Sequence, residues 1–184
     1  MDYDLGLFTV IVADDNAYMR SLLKTVMHTM GVGTVFAVND GSEAIETLKR
    51  VGQDPSRGGI NSVDLIMANW QMSPVDGLLL LKWVRRHKES PDKFLPFVMV
   101  TGYADMGHVN EARDLGVTEI LSKPYSIQSL TQRIGQVIER PRQFVLTSTY
   151  FGPDRRRRKT ESRLSDRRKI KQEEIEIIYD DEIS

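Results

Sequence analysis

Five short apolar runs mark the first 121 residues of the chain, and the stretches between them carry apolar positions at helical spacing. The first run, Leu7 to Ala13 (LFTVIVA), is continuous and β-branched, as suits a strand covered on both faces. Asp14-Asp15-Asn16 ends it and can cap a helix over Ala17 to Met30, where Leu22, Leu23, Val26, Met27 and Met30 recur on one side. Gly31 and Gly33 break that helix. The alternation then repeats. Thr34 to Val38 reads as a strand, Asn39-Asp40-Gly41 as a turn and Ser42 to Val51 as a helix. After a loop rich in Gly, Ser and Pro (Gln53 to Ser62), Val63 to Ala68 reads as a strand and Leu78 to His87 as a helix. Phe97 to Val100, Ala104 to Leu115, Val117 to Leu121 and Ile127 to Glu139 complete the series as strand, helix, strand and helix.

Strands alternating with helices predict an α/β fold: a doubly wound five-stranded parallel sheet with helices on both faces. Ligands meet such sheets beyond the carboxyl ends of the strands. That rule gathers Asp14, Asp15, Asn69, Thr101 and Lys123 at one edge. Asp64, at the start of the third strand, falls at the opposite edge.

Composition narrows the picture. With 184 residues, 40% of them hydrophobic and 28% charged, the chain has room for one globular domain and an appendage. The absence of cysteine excludes disulfides and thiolate metal sites. The acidic start Met-Asp-Tyr-Asp is unlike a secretory leader, and no apolar stretch is long enough for a bilayer, so a cytoplasmic protein without membrane insertion is expected. A net charge of -1 gives no overall bias toward nucleic acid.

Singly, each edge residue has an ordinary explanation. Asp14-Asp15 after a strand is usually a helix cap and a surface charge. Lys123-Pro124 is usually a solvated lysine before a turn, and Thr101-Gly102 a strand-to-loop transition. Together they read differently. Paired carboxylates make a hard, oxygen-rich site suited to Mg²⁺. A hydroxyl and an ammonium opposite them suit a phosphoryl group.

Over about residues 7 to 140 the chain resembles the CheY-like receiver domain of two-component response regulators, a flavodoxin-like fold. The resemblance rests on VIVADDN (10–16), NDGSEAIE (39–46), DLIMANWQMSPVDG (64–77), VMVTGYAD (98–105) and GVTEILSKPYS (116–126). It implies that Asp14 and Asp15 bind Mg²⁺ and that Thr101 contacts the phosphoryl group and shifts on activation. It implies that Lys123 pairs with the phosphoryl oxygens and that a cis peptide bond precedes Pro124. A sensor histidine kinase or phosphotransfer protein and a downstream protein target are the implied partners.

The sequence departs from the family pattern in three places. Position 69, where the family's phospho-accepting aspartate lies, is an asparagine. An amide is no carboxylate nucleophile and cannot form an acyl phosphate by the usual route. Its neutrality also removes a negative charge from the Mg²⁺ pocket, so divalent affinity should be weakened. Ile120 stands where many members carry an aromatic ring that swings inward with Thr101. The loop reads Met72-Ser73-Pro74, where the family more often has proline directly after methionine.

Beyond residue 140 the composition shifts. Residues 141–184 read as a charged, disordered tail, basic over 154–171 with Arg155, Arg156, Arg157 and Arg158, and acidic over 172–184. Within it, Gln143 to Tyr150 looks extended, and Ile175, Ile177 and Ile178 could form a short strand. YFGPDRRRR, from Tyr150, resembles an extension that follows the receiver in some alphaproteobacterial single-domain regulators.

Three readings compete. The first is a non-enzymatic signalling module without a DNA-binding output domain, acting through protein contacts as an atypical receiver. The second is an ordinary phosphorylatable receiver whose aspartate at 69 was changed by engineering. The third is a nucleic-acid-binding regulator using the arginine block, which is disfavoured because the acidic end competes for the arginines.

Overall fold

The computed structural model describes residues 5–53, 62–102, 106–155 and 176–178. Strands β1 (Thr9–Ala13), β2 (Thr34–Val38), β3 (Leu65–Asn69), β4 (Phe97–Thr101) and β5 (Glu119–Ser122) form one parallel sheet in the order β2-β1-β3-β4-β5. Helices α1 (Ala17–Thr29), α2 (Gly41–Gln53), α3 (Gly77–Arg86), α4 (Met106–Asp114) and α5 (Ile127–Glu139) connect and follow the strands. The predicted doubly wound sheet is the observed one. The strand order reverses direction between β1 and β3, which opens a crevice at their carboxyl ends.

The continuous apolar runs are explained by a core on each face. Ile11, Ala13, Ile66, Ala68, Phe97 and Met99 point to the side that carries Ala44 and Leu48 of α2, Leu80, Leu81 and Val84 of α3 and Ala112 of α4. Val10, Val12, Leu65, Met67, Val98 and Val100 point the other way, onto Leu23 and Met27 of α1 and Leu130 and Ile134 of α5. Neighbours on a strand thus serve opposite cores. Each large side chain so covered contributes about 1.5–3 kcal/mol of transfer free energy.

Helix starts follow from capping. The Asn16 side chain accepts from Met19 N–H at 3.1 Å, Asp76 from Leu79 N–H at 2.7 Å, and Ser126 from Ser129 N–H at 3.1 Å. Element ends differ from the sequence-based ones by a few residues. Leu5–Leu7 is a 3-10 turn, not part of the first strand, and Leu7 is exposed. The third strand begins at Leu65 and runs on to Asn69. Asp64 accepts the Thr9 N–H at 2.8 Å, which fixes it at the edge opposite Asn69, as expected.

Beyond α5 three short strands form an antiparallel sheet in the order β7-β6-β8: β6 (Phe144–Leu146), β7 (Phe151–Pro153) and β8 (Glu176–Ile178). Parts of the segment read as a disordered tail are therefore strands. The reason is apolar: Phe144 and Phe151 join Phe94, just before β4, with ring centroids 5.0–5.6 Å apart. The extended look of Gln143–Tyr150 and the strand suggested around Ile177 are both met. Arg156, Arg157, Arg158 and most of the basic and acidic blocks lie outside the described residues.

This small sheet sits at the amino edge of the main sheet. Arg85, at the end of α3, is 2% exposed and ties the parts together. Its guanidinium donates to the carbonyls of Gly116, Lys93 and Leu95 at 3.0, 2.8 and 2.8 Å and lies 5.1 Å from the Phe144 ring centroid.

Candidate functional site

The carboxyl ends of β1, β3, β4 and β5 bring the five predicted residues, Asp14, Asp15, Asn69, Thr101 and Lys123, into one hydrogen-bonded cluster. Asp14, directly after β1, is fully buried; its Oδ1 accepts the Asn16 N–H at 2.9 Å and its carbonyl accepts from Arg20 Nη1 at 2.6 Å. Lys123, just past β5, donates from Nζ to Asn69 Oδ1 at 3.1 Å and reaches Asp14 Oδ2 at 3.5 Å. The peptide bond between Lys123 and Pro124 is cis, as expected, and so is that between Ser73 and Pro74. Thr101 ends β4 and is buried, and its carbonyl accepts the Lys123 N–H at 2.7 Å.

Asn69 is the hub. Its Nδ2 donates to Asp15 Oδ1 at 3.3 Å and to the Gln71 carbonyl at 2.7 Å, while its Oδ1 accepts from Lys123. The orientation of the amide is dictated by its surroundings. Turned over, it would set an oxygen against a carboxylate and a carbonyl, and an N–H against an ammonium. The loop after Asn69 closes on Gly77, where a Cβ would collide with the Asn69 carbonyl. That contact explains the glycine of the Asp76-Gly77 pair.

Ile120 is half-buried and packs with the core on the α4 side, opposite Met99 in register. It carries no aromatic ring. Tyr125 is near Asp14; burial pushes its phenol up to about 12, and the Asp14 charge adds to the rise. Its hydroxyl is buried without a hydrogen-bond partner.

The donor set was expected to suit Mg²⁺. Asp14 and Asp15 are hard oxygen donors, but among the described residues no three His, Cys, Asp or Glu side chains cluster as a metal site. Position 69 presents N–H groups toward Asp15, not a lone pair. In this arrangement the residues do not fit a divalent cation.

Arg155 is the one arginine of the tail's four-arginine block among the described residues. It pairs with Asp114 at 2.9 Å, donates to the Arg113 carbonyl and lies over the Tyr150 ring. It is thus far along the fold from the Asn69 cluster. The Gln71 carbonyl and Tyr125 were missed in the sequence. A backbone carbonyl carries no residue-type signal, and a tyrosine after Lys-Pro reads as ordinary core. No helix among the described residues is long and apolar enough to cross a membrane.

A family model described as the response regulator receiver domain matches residues 10–135. The chemotaxis protein CheY-3 of Vibrio cholerae is 27% identical over 131 residues, covering 71% of this chain and 92% of that one. The solved receiver domain of the response regulator AraT from Geobacillus stearothermophilus is 28% identical, with a TM-score of 0.57 over 72% of this chain and 94% of that one. A receiver domain of the Pseudomonas aeruginosa sensor histidine kinase PA1611, solved with a magnesium ion coordinated in its active-site cleft, has a TM-score of 0.58 at 19% identity, covering 72% and 98%. The small β6–β8 sheet lies past the end of the family match.

Proposed function

The chain belongs to the response regulator receiver domain family, and from that premise we propose that it is an atypical receiver that signals by binding other proteins and does not take up a phosphoryl group at position 69. The observation that carries this reading is Asn69 itself. It stands at the end of β3, in hydrogen-bond reach of Lys123 and Asp15, with an amide in place of a nucleophilic carboxylate. Asp64 cannot replace it, because its carboxylate accepts the Thr9 N–H at the far end of the strand.

Its partners are a sensor histidine kinase or phosphotransfer protein and a downstream protein target, met through the face formed by α4, β5 and α5. Met106 and Ile127, the first residues of α4 and α5, are large apolar side chains exposed by 68% and 60% beside the pocket. Mg²⁺, which is coordinated in the PA1611 receiver, meets a poorer site here, because position 69 supplies no negative charge and points an N–H at Asp15. The segment from Tyr150 is read as a receiver extension, and the whole as a binding module, not an enzyme.

Incubation with a small-molecule phosphodonor and Mg²⁺, followed by intact-protein mass measurement, tests the proposal. The natural chain should gain no phosphoryl group, and Asn69→Asp should gain one if the remaining pocket is intact. A phosphoryl gain by the natural chain that persists in Asn69→Ala would overturn it.

A further inference from the structure

We propose that the Asn69 side-chain amide takes the place of a divalent cation, so that the pocket is assembled without metal and metal must displace the amide to enter. The inference rests on the receiver reading of this edge and goes beyond it. Loss of one negative charge would weaken a cation site passively, whereas the geometry here points to active competition.

One nitrogen, Nδ2, donates to two oxygens: a carboxylate oxygen of Asp15 at 3.3 Å and the backbone carbonyl of Gln71 at 2.7 Å. Carboxylate and carbonyl oxygens are the ligands that hard divalent cations use. Placed side by side without a positive pole between them, they repel. An aspartate at position 69 would add a further carboxylate to that repulsion, and a cation would be needed to relieve it. The amide relieves it with two N–H groups, each pointed at one oxygen. On its other side, Oδ1 accepts from Lys123, which in turn reaches the buried Asp14. Asp14 Oδ1 is already engaged by Asn16. The cluster of Asp14, Asp15, Asn69 and Lys123 is therefore closed on itself, with each charged group facing a complementary pole.

The two accounts differ in one measurable ordering. If Asn69 only lacks a charge, Asn69→Ala should bind Mg²⁺ no better than the natural chain. If the amide competes, removing it frees the Asp15 and Gln71 oxygens, and Asn69→Ala should bind Mg²⁺ more tightly. Release of two hydrogen bonds corresponds to about a tenfold lower Kd. Asn69→Asp should bind most tightly of the three. Calorimetric titration with MgCl₂ and the quenching of Trp70, the buried neighbour of Asn69, read the affinities.

In the natural chain, the NMR signals of the Asn69 side-chain NH₂ should be unmoved by millimolar Mg²⁺, and the melting temperature should not change. This second measurement needs no variant to fold. Equal affinity in Asn69→Ala and the natural chain, or Mg²⁺-dependent movement of the Asn69 NH₂ signals at low concentration, would overturn the inference. Phosphoryl uptake is read separately by mass, so the receiver reading and the cation-replacement inference fail independently.

Discussion

An amide in place of a carboxylate changes hydrogen-bond polarity as well as charge, and at position 69 polarity does the structural work. The asparagine was legible in the sequence as a missing nucleophile; its bond to Gln71 was not, because that partner is a main-chain oxygen brought in by the turn after β3. Asp40 shows a second residue whose role was only half legible. It reads as a turn residue, yet its carboxylate accepts the N–H groups of Ser42 at 2.6 Å and Glu43 at 3.2 Å, and the Ser42 hydroxyl as well. Burial pulls its pKa up, but these hydrogen bonds outweigh burial and hold it below the ordinary 3.8. A carboxyl depressed on folding contributes stability above the unfolded value, and that contribution is lost as pH falls through the folded value. Asp40→Ala should cost about 1 kcal/mol near neutral pH. The gap from the natural chain should narrow as the solution is acidified below the carboxylate range. Urea unfolding at neutral and acid pH measures both; a gap that widens with acid would contradict the capping role.

At the scale of elements, the five strands and five helices were readable because burial on both faces leaves continuous β-branched runs and amphipathic helices. The small sheet was not fully readable, since three-residue strands carry too few positions for a period to emerge. What docks it is aromatic contact and close backbone approach. A Cβ on Gly152 would meet the Gly116 Cα at 2.7 Å and the Tyr150 hydroxyl at 2.6 Å. Gly116 itself has φ +86, a conformation that favours glycine. Gly152→Ala should therefore push β7 from the turn before β5 and destabilise the fold by about 1–3 kcal/mol, the usual cost of overpacking. Chemical denaturation checks the magnitude. Weaker protection of the β6 and β7 amides in hydrogen exchange should accompany it, and unchanged protection would show that the contact is not needed.

For the molecule as a whole, the family match ends at residue 135, yet strands β6, β7 and β8 lie beyond it. Arg85 couples the two parts: a buried guanidinium bonded to three carbonyls and lying near the Phe144 ring cannot be left uncovered cheaply. A chain ending at Pro141 should consequently melt at a lower temperature than the full chain. Phe144→Ala alone should cost about 3 kcal/mol. Differential scanning calorimetry separates the two outcomes, and an unchanged melting temperature in the shortened chain would mean that the small sheet adds nothing to stability.

The placement of that sheet has a spatial consequence. The Asn69 cluster opens at the carboxyl edge of the main sheet, whereas Arg155 is anchored on the last turn of α4 at the amino edge, beside the small sheet. A protein seated at that rim and one seated on the β6–β7 hairpin would approach from opposite poles and would not contend for the same space. Were two weak partners to use the two poles at once, the fold between them would raise the effective concentration of each at the other.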